Sequence, residues 1–369
     1  MMKKILLGMS LVVCFSKGIC GEAPVAIVGT AQETVQSSTV QASHRALQMM
    51  VAPKFPKKVT LLKLRLSEAT KKTLKKRVSQ LERATLKGPA TQHYPRQIQL
   101  GMNGVPVLNQ GTHGTCAVFA VTAALDAVLG KGDYISQLCQ LQLGRYLNNN
   151  GYTESGWEGA WGQDIFDKIA MFGVVPKSLE ASGACSGLLA YPLSGNDASE
   201  ELNLFDYHQM SESLQDQDII FSPLAIPEQI NSYIIDTENI LYHVKRSLNQ
   251  GDRITLGVGI PDYTTGNVGA LGSHHVANDT WVMSPNMFDM QNADQFGGHA
   301  LVITGYDDDA VAIDPKGRFH RGLLTLRNSW GSNVGDKGDF YMSYSYFKTF
   351  VLEAYRVQQN HQEPFVLGG

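Results

Sequence analysis

The chain has 369 residues, 43% hydrophobic and 18% charged, with a formal net charge of −3. That balance excludes a disordered or fibrous polypeptide and carries no global sign of nucleic-acid binding; the length suits about two domains and a sizeable core. The charge is unevenly spread. Residues 1–21 carry 3 basic and 0 acidic side chains, 22–98 carry 14 and 4, and 99–369 carry 14 and 30, so a basic front precedes an acidic body.

Lys3 and Lys4 precede an apolar run at 5–15 and small residues at 18–21, the pattern of a cleavable signal peptide over 1–21. The run is too short to span a bilayer, so a secreted or periplasmic protein with no membrane anchor is expected. A lipoprotein acylated at Cys20 is the weaker reading, because Lys17-Gly18-Ile19 lacks the usual approach. With Cys14 and Cys20 assigned to the leader, Cys116, Cys139 and Cys185 remain. An odd number in an exported protein suggests one pair and one free thiol. Cys139 with Cys185 is the expected pair, and connectivity stays open.

Residues 22–52, rich in Val, Thr, Gln and Ser, predict a short β-hairpin; 59–66 alternate apolar and basic residues as an edge strand does. Ser67 suits the cap of a helix to about Ala84, with Leu74, Val78 and Leu81 on one face and Lys71, Lys72, Lys75, Lys76 and Arg77 on the other. Lys87-Gly88-Pro89-Ala90 and Tyr94-Pro95 read as a linker, giving a basic N-terminal segment over 22–93 and a second unit over 94–369. In that unit 117–129 predict a buried helix stopped by Gly130, and 163–172 an amphipathic helix closed by Gly173. Residues 186–240 are polar with little periodicity and read as an insertion with little structure. Strand patterns then follow at 254–260, 299–306, 323–328 and 339–343. Helices first and strands later, without βαβ alternation, predict an α+β fold with a helical half facing a sheet half.

Three blocks carry chemistry. Gln110-Gly111-Thr112-His113-Gly114-Thr115-Cys116 delivers a cysteine to the first turn of the buried helix, where free N–H groups and the helix dipole favour a thiolate. Gly297-Gly298-His299-Ala300 opens an apolar strand that runs to Gly305-Tyr306. Asn328-Ser329-Trp330-Gly331 closes another, followed by Gly338-Asp339-Phe340. Each alone has a bland reading: a core cysteine, a strand-end histidine, a turn.

Together, in this order, the blocks resemble the papain-like (cathepsin-type) cysteine peptidases over roughly residues 94–350. The resemblance implies a two-lobed fold, helical lobe and β-sheet or barrel lobe with the cleft between, preceded by an N-terminal pro-segment. It implies Cys116 as nucleophile, His299 as its acid–base partner, Asn328 as the group orienting the imidazole, and Gln110 with the Cys116 N–H as oxyanion hole. By the same carry-over Trp330 shields the His–Asn contact, Glu158-Gly159 form a substrate wall, and Gly114 and Gly298 line the cleft. The sequence departs from the family in places. His113 replaces a cysteine commonly in a disulfide, Ala117 replaces an aromatic, and Gly298 stands where Asp or Asn is frequent. His299 also lies 183 residues beyond Cys116, more than the roughly 130–150 of the family.

The expected protein is therefore an exported, monomeric cysteine endopeptidase acting on proteins or peptides. The basic N-terminal segment would act as an intramolecular inhibitor docked by charge. No metal, cofactor or nucleic acid is expected; His274-His275 and Asp307-Asp308-Asp309 read as surface loops. Two rivals share the fold, a glutamine transamidase or deamidase and a catalytically silent binding module.

Overall fold

The computed structural model describes residues 22–36, 56–84, 94–195, 201–214, 218–231, 236–264, 267–284 and 295–359. The expected signal peptide lies outside the described residues. No described helix is long and apolar enough to cross a membrane.

Strands β1 (Val25–Gln36) and β2 (Pro56–Leu66) pair antiparallel, Val25 opposite Leu66 and Gln36 opposite Pro56. The hairpin expected within 22–52 is thus formed instead by 25–36 with 56–66. The reason is the apolar alternation of β2: Leu62, Leu64 and Leu66 are buried while Lys63 and Arg65 face out. Helix α1 (Glu68–Ala84) follows, its first turn capped by the Ser67 hydroxyl, which accepts from the Thr70 N–H at 3.2 Å. Leu74 is fully buried, and α1 packs against the helix near the chain's end. Arg77 departs from the expected solvated face: its guanidinium donates to the carbonyls of Thr349 (3.2 Å) and Ile230 (3.5 Å).

The body begins with β3 (Gln97–Gln99) and α2 (Cys116–Leu129). Ala, Val and Leu fill α2, which is buried over nearly its whole length and ends at Gly130 in the left-handed conformation (φ 65°). Next come α3 (Gln137–Asn149), α4 (Gly162–Phe172), α5 (Lys177–Glu180) and α6 (Leu204–Met210), then β4 (Ile219–Ala225), α7 (Thr237–Asn249), β5 (Arg253–Ile260) and β6 (Thr280–Trp281). Finally there are β7 (Gly297–Ile313), β8 (Phe319–Arg327), β9 (Asp339–Ser343), α8 (Tyr344–Phe350) and β10 (Val351–Gln359). The stretch 186–240 is therefore not structureless, since it holds α6, β4 and the start of α7. A disulfide joins Cys139 on α3 to Cys185 beyond α5.

The architecture is α+β. Among the described residues ten strands share one sheet with the spine β4-β10-β5-β7-β8-β9-β6, antiparallel except where β6 runs parallel to β9. Helix α2 lies between the halves, touching β5, β7 and β10 on one side and α3 and α4 on the other. Strand β2 joins the sheet at the mouth of β7, Leu62 opposite Gly298 and Lys63 opposite Gly297. The register of β7 shifts between Asp307 and Val311, and this irregularity is anchored rather than loose. Asp308 accepts from the buried Lys245 ammonium at 2.5 Å and from the Tyr344 hydroxyl at 2.7 Å, and Asp309 pairs with Arg96. The Asp307-Asp308-Asp309 run is thus a structural tie, not the expected surface loop.

Candidate active site

Cys116 starts α2, fully buried, beneath a loop held on three sides. Gly111 has φ 59°, and a Cβ there would lie 2.0 Å from the Leu193 carbonyl oxygen, so only glycine fits. The Gly114 N–H donates to the Trp157 carbonyl at 3.0 Å, and the Gln110 N–H to that of Ser329 at 2.8 Å. Burial pushes the Cys116 thiol up to about 11, while backbone N–H groups of Ala300, Ala117 and Cys116 itself pull it back. The Ala300 contact matters most for geometry: the residue after His299 reaches the sulfur, so the helix and strand halves meet here.

His299 donates from Nε2 to Asn328 Oδ1 at 2.8 Å. The direction is set, because Asn328 Oδ1 also accepts from the Ser329 N–H at 2.7 Å and is therefore the amide's oxygen. Nδ1 is left as a lone-pair nitrogen, buried and without a hydrogen-bond partner among the described residues. The Trp330 indole stacks on the imidazole at 4.4 Å between centroids and 21° between planes, closing one face to water. Burial drives the His299 pKa down to about 4, and the Asn328 contact opposes it. With thiol up and imidazole down, the covered pair is neutral.

Gln110 is oriented in the same way. The Ser329 hydroxyl donates to its Oε1 at 2.7 Å, which turns Nε2 toward the His113 carbonyl (3.0 Å) and the Thr60 carbonyl of β2 (3.5 Å). What covers the site is thus the front hairpin. Lys57 donates to Asn109 Oδ1 (3.1 Å) and to the Trp330 carbonyl, and the Thr60 hydroxyl to the Thr112 carbonyl (2.9 Å). The Leu64 N–H donates to the Phe296 carbonyl at 2.9 Å. Side chains fill the walls: a Cβ at Gly159 would lie 2.8 Å from Leu62 Cδ2, one at Gly114 2.8 Å from Thr30 Cγ2, and one at Gly298 2.7 Å from Leu64 Cδ1. Gly114, Gly159 and Gly298 therefore all face the hairpin, whereas the Glu158 side chain is exposed. Among the described residues no ion pair joins the hairpin or α1 to the body; the contacts there are strand pairing, leucines and basic groups on carbonyls.

Several residues at the site escape sequence reasoning. Ser329 orders both Gln110 and Asn328, and its place inside the Asn-Ser-Trp-Gly block was the available signal. Thr60, Leu62 and Lys57 reach the cleft only through long-range strand pairing, which no local pattern announces. Tyr191 sits in the polar stretch, yet its hydroxyl meets the Gln110 carbonyl. Glu353, fully buried on β10, accepts from the Gly162 N–H at the start of α4 at 2.8 Å. His274 and His275 do not gather ligands. Their N–H groups wrap the Asp279 carboxylate, and the His275 ring pairs with Asp336 at 2.7 Å. Among the described residues no group of three or more His, Cys, Asp or Glu is placed to hold a metal ion.

The pattern of the Peptidase C1-like family matches residues 277–363, the part of the chain that supplies His299 and Asn328. No curated protein matches in sequence. Among solved structures, xylellain, a cysteine protease from Xylella fastidiosa, is similar at 19% identity over 72% of this chain and 86% of that one, with a TM-score of 0.47. Digestive procathepsin L 3 of Tenebrio molitor larval midgut is similar at 16% identity over 74% of each chain, TM-score 0.44. The proform of Amb a 11, a ragweed pollen cysteine protease and allergen, is similar at 15% identity over 76% of this chain and 63% of that one, TM-score 0.46. The family match covers 87 of the 369 residues, so the histidine and asparagine blocks fall inside it and the cysteine block outside it.

Proposed function

We propose that the chain is an exported endopeptidase made as a zymogen, with Cys116, His299 and Asn328 as its triad and Gln110 as oxyanion donor. The observation that carries the reading is the Nε2-to-Asn328 hydrogen bond, which leaves His299 Nδ1 basic beside the strand residue that touches the Cys116 sulfur. Once the cleft is open, Nδ1 takes the thiol proton, and the thiolate attacks the scissile carbonyl carbon. Negative charge moving to the carbonyl oxygen meets the Gln110 amide and the Cys116 N–H. Collapse breaks the C–N bond, the imidazolium proton leaves with the amine, and water hydrolyses the thioester by the reverse proton path. Asn328 keeps the imidazole in the tautomer this requires, and Trp330 shields that contact.

The inhibitory role assigned to residues 22–93 is supported by the hairpin that buries the site and sets the Thr60 carbonyl opposite the oxyanion donor. The 1–21 leader pattern and the Cys139–Cys185 disulfide support an oxidising, exported location. The test is labelling of Cys116 with an epoxide or vinyl-sulfone probe. The processed enzyme should label, the full chain should label far more slowly, and Cys116→Ala should not label at all. Equal labelling of full and processed chains would remove the zymogen; no labelling of the folded processed chain would remove the peptidase and favour a binding module. An amine-acceptor assay separates hydrolysis from transamidation.

A further inference from the structure

The 110–116 loop lacks the cysteine that resembling sequences place at position 113, yet it must hold an oxyanion donor and a nucleophile in register. The residue that ties its two ends together comes from the polar stretch. The Tyr191 hydroxyl lies 2.9 Å from the Gln110 carbonyl and 2.9 Å from the Thr115 hydroxyl. A phenol has one proton, and a carbonyl only accepts, so Tyr191 donates to Gln110 and receives from Thr115. One oxygen thereby bridges the residue whose amide faces the cleft and the residue that precedes Cys116. The ring has little freedom: it stacks on Trp157 (5.8 Å, 7°) and meets the edges of Phe119 (4.9 Å) and His113 (5.8 Å). His113 itself packs edge-on against Trp157 at 5.3 Å, so aromatic contact stands where the family's bridge would be.

Tyr191 is in turn anchored. Its N–H donates to Glu180 Oε1 at 3.1 Å, and the other carboxylate oxygen accepts from the Ser136 hydroxyl at 2.7 Å. Ser136 caps α3 through the Cys139 N–H (3.0 Å) and lies 3.5 Å from the Cys185 sulfur. Two residues beyond Tyr191, the Leu193 carbonyl accepts from the Thr112 N–H at 3.0 Å. A continuous series of contacts therefore runs from the disulfide to the nucleophile loop.

We propose that Tyr191 is a positioning residue for the oxyanion donor and nucleophile, held in place by the Cys139–Cys185 disulfide through Glu180 and Ser136. The catalytic part rests on the peptidase reading; the structural part does not. The test is Tyr191→Phe, which keeps the ring and removes only the hydroxyl. In enzyme processed from the full chain, kcat should fall about tenfold with KM within about twofold, the signature of misplaced reacting groups rather than lost substrate binding. In the full chain, hydrogen exchange at amides 111–116 should rise about tenfold with the sheet unchanged. Cys185→Ser should give the same local exchange pattern. Unchanged exchange and kcat in Tyr191→Phe would overturn the proposal, as would an exchange rise spread over the whole fold. If the parent enzyme cleaves no peptide, the peptidase reading fails while the exchange arm still decides whether Tyr191 holds the loop.

Discussion

The hairpin's hold on the cleft is open to a quantitative test at Leu62. This side chain is 5% exposed, sits against the bare Cα of Gly159 and lies opposite Gly298 in the strand pairing. Truncating a buried leucine to alanine costs about 2.7–5 kcal/mol, and since Leu62 sits on a docked surface rather than deep in a core, the low end applies. At about 1.4 kcal/mol per tenfold, the undocked fraction of the full chain should rise about 100-fold. Cys116 is fully buried when the hairpin is docked, so a small alkylating probe reacts only from the undocked form. Its labelling rate in Leu62→Ala should therefore rise about 100-fold, with the processed enzyme's rate as ceiling. Lys63→Ala is the control: its side chain faces solvent, and its rate should stay within about twofold. A parallel melting curve checks that the body remains folded. Should Leu62→Ala label no faster than Lys63→Ala while processed enzyme labels rapidly, the docked β2 strand is not what shields the thiol.

Two further outcomes are expected. Gln110→Glu preserves shape and the Ser329 contact but replaces the N–H donor with a carboxylate oxygen, so kcat should drop about 100- to 1000-fold in steady-state assays of processed enzyme; a loss under tenfold would assign the oxyanion elsewhere. Burial raises the Glu353 carboxyl to about 7, against the Gly162 N–H that lowers it. A carboxyl raised in the folded state adds stability below its unfolded pKa of about 4.5 and loses it as pH climbs through 7. The parent should therefore lose about 3 kcal/mol between pH 4.5 and 7 relative to Glu353→Gln, read by denaturant unfolding at each pH; parallel pH slopes would show that Glu353 does not titrate there.

The elements legible in the sequence are those whose signal is local. Helix α2 is announced by an unbroken small-apolar run and its glycine stop, and the histidine and asparagine blocks by turns that only particular residues make. Helix α3 was hidden for a physical reason. Its buried residues mix Leu138, Cys139, Leu141, Leu143 and Leu147 with Gln137, Gln140 and Gln142, so apolar and polar positions are not separated into two faces. Two of these amides are satisfied by partners far along the chain: Gln137 donates to the Thr122 hydroxyl at 3.2 Å, and Gln140 to the Tyr207 hydroxyl at 2.5 Å and the Gly173 carbonyl at 3.2 Å. Helix α7 did carry a signal, an aspartate cap at Asp236 followed by Ile240, Leu241, Val244 and Leu248 at helical spacing, but it straddles the edge of a stretch read as loop. Strand β1 falls within the stretch read as a hairpin, but its partner β2 lies across an intervening segment, a pairing that no local pattern announces.

The departure at Gly298 follows from the same docking. Resembling sequences often carry Asp or Asn just before the histidine, and such a side chain here would start 2.7 Å from Leu64 Cδ1. Gly298 has no unusual backbone angle that demands glycine. What crowds the position is the approach of β2, whose Leu64 side chain would have to shift and whose Leu62 lies opposite Gly298. Gly159, on the other wall, is constrained doubly, by a φ of 121° and by Leu62. A cleft whose two walls are bare backbone, each filled by a leucine of one strand, is shaped to its own N-terminal segment.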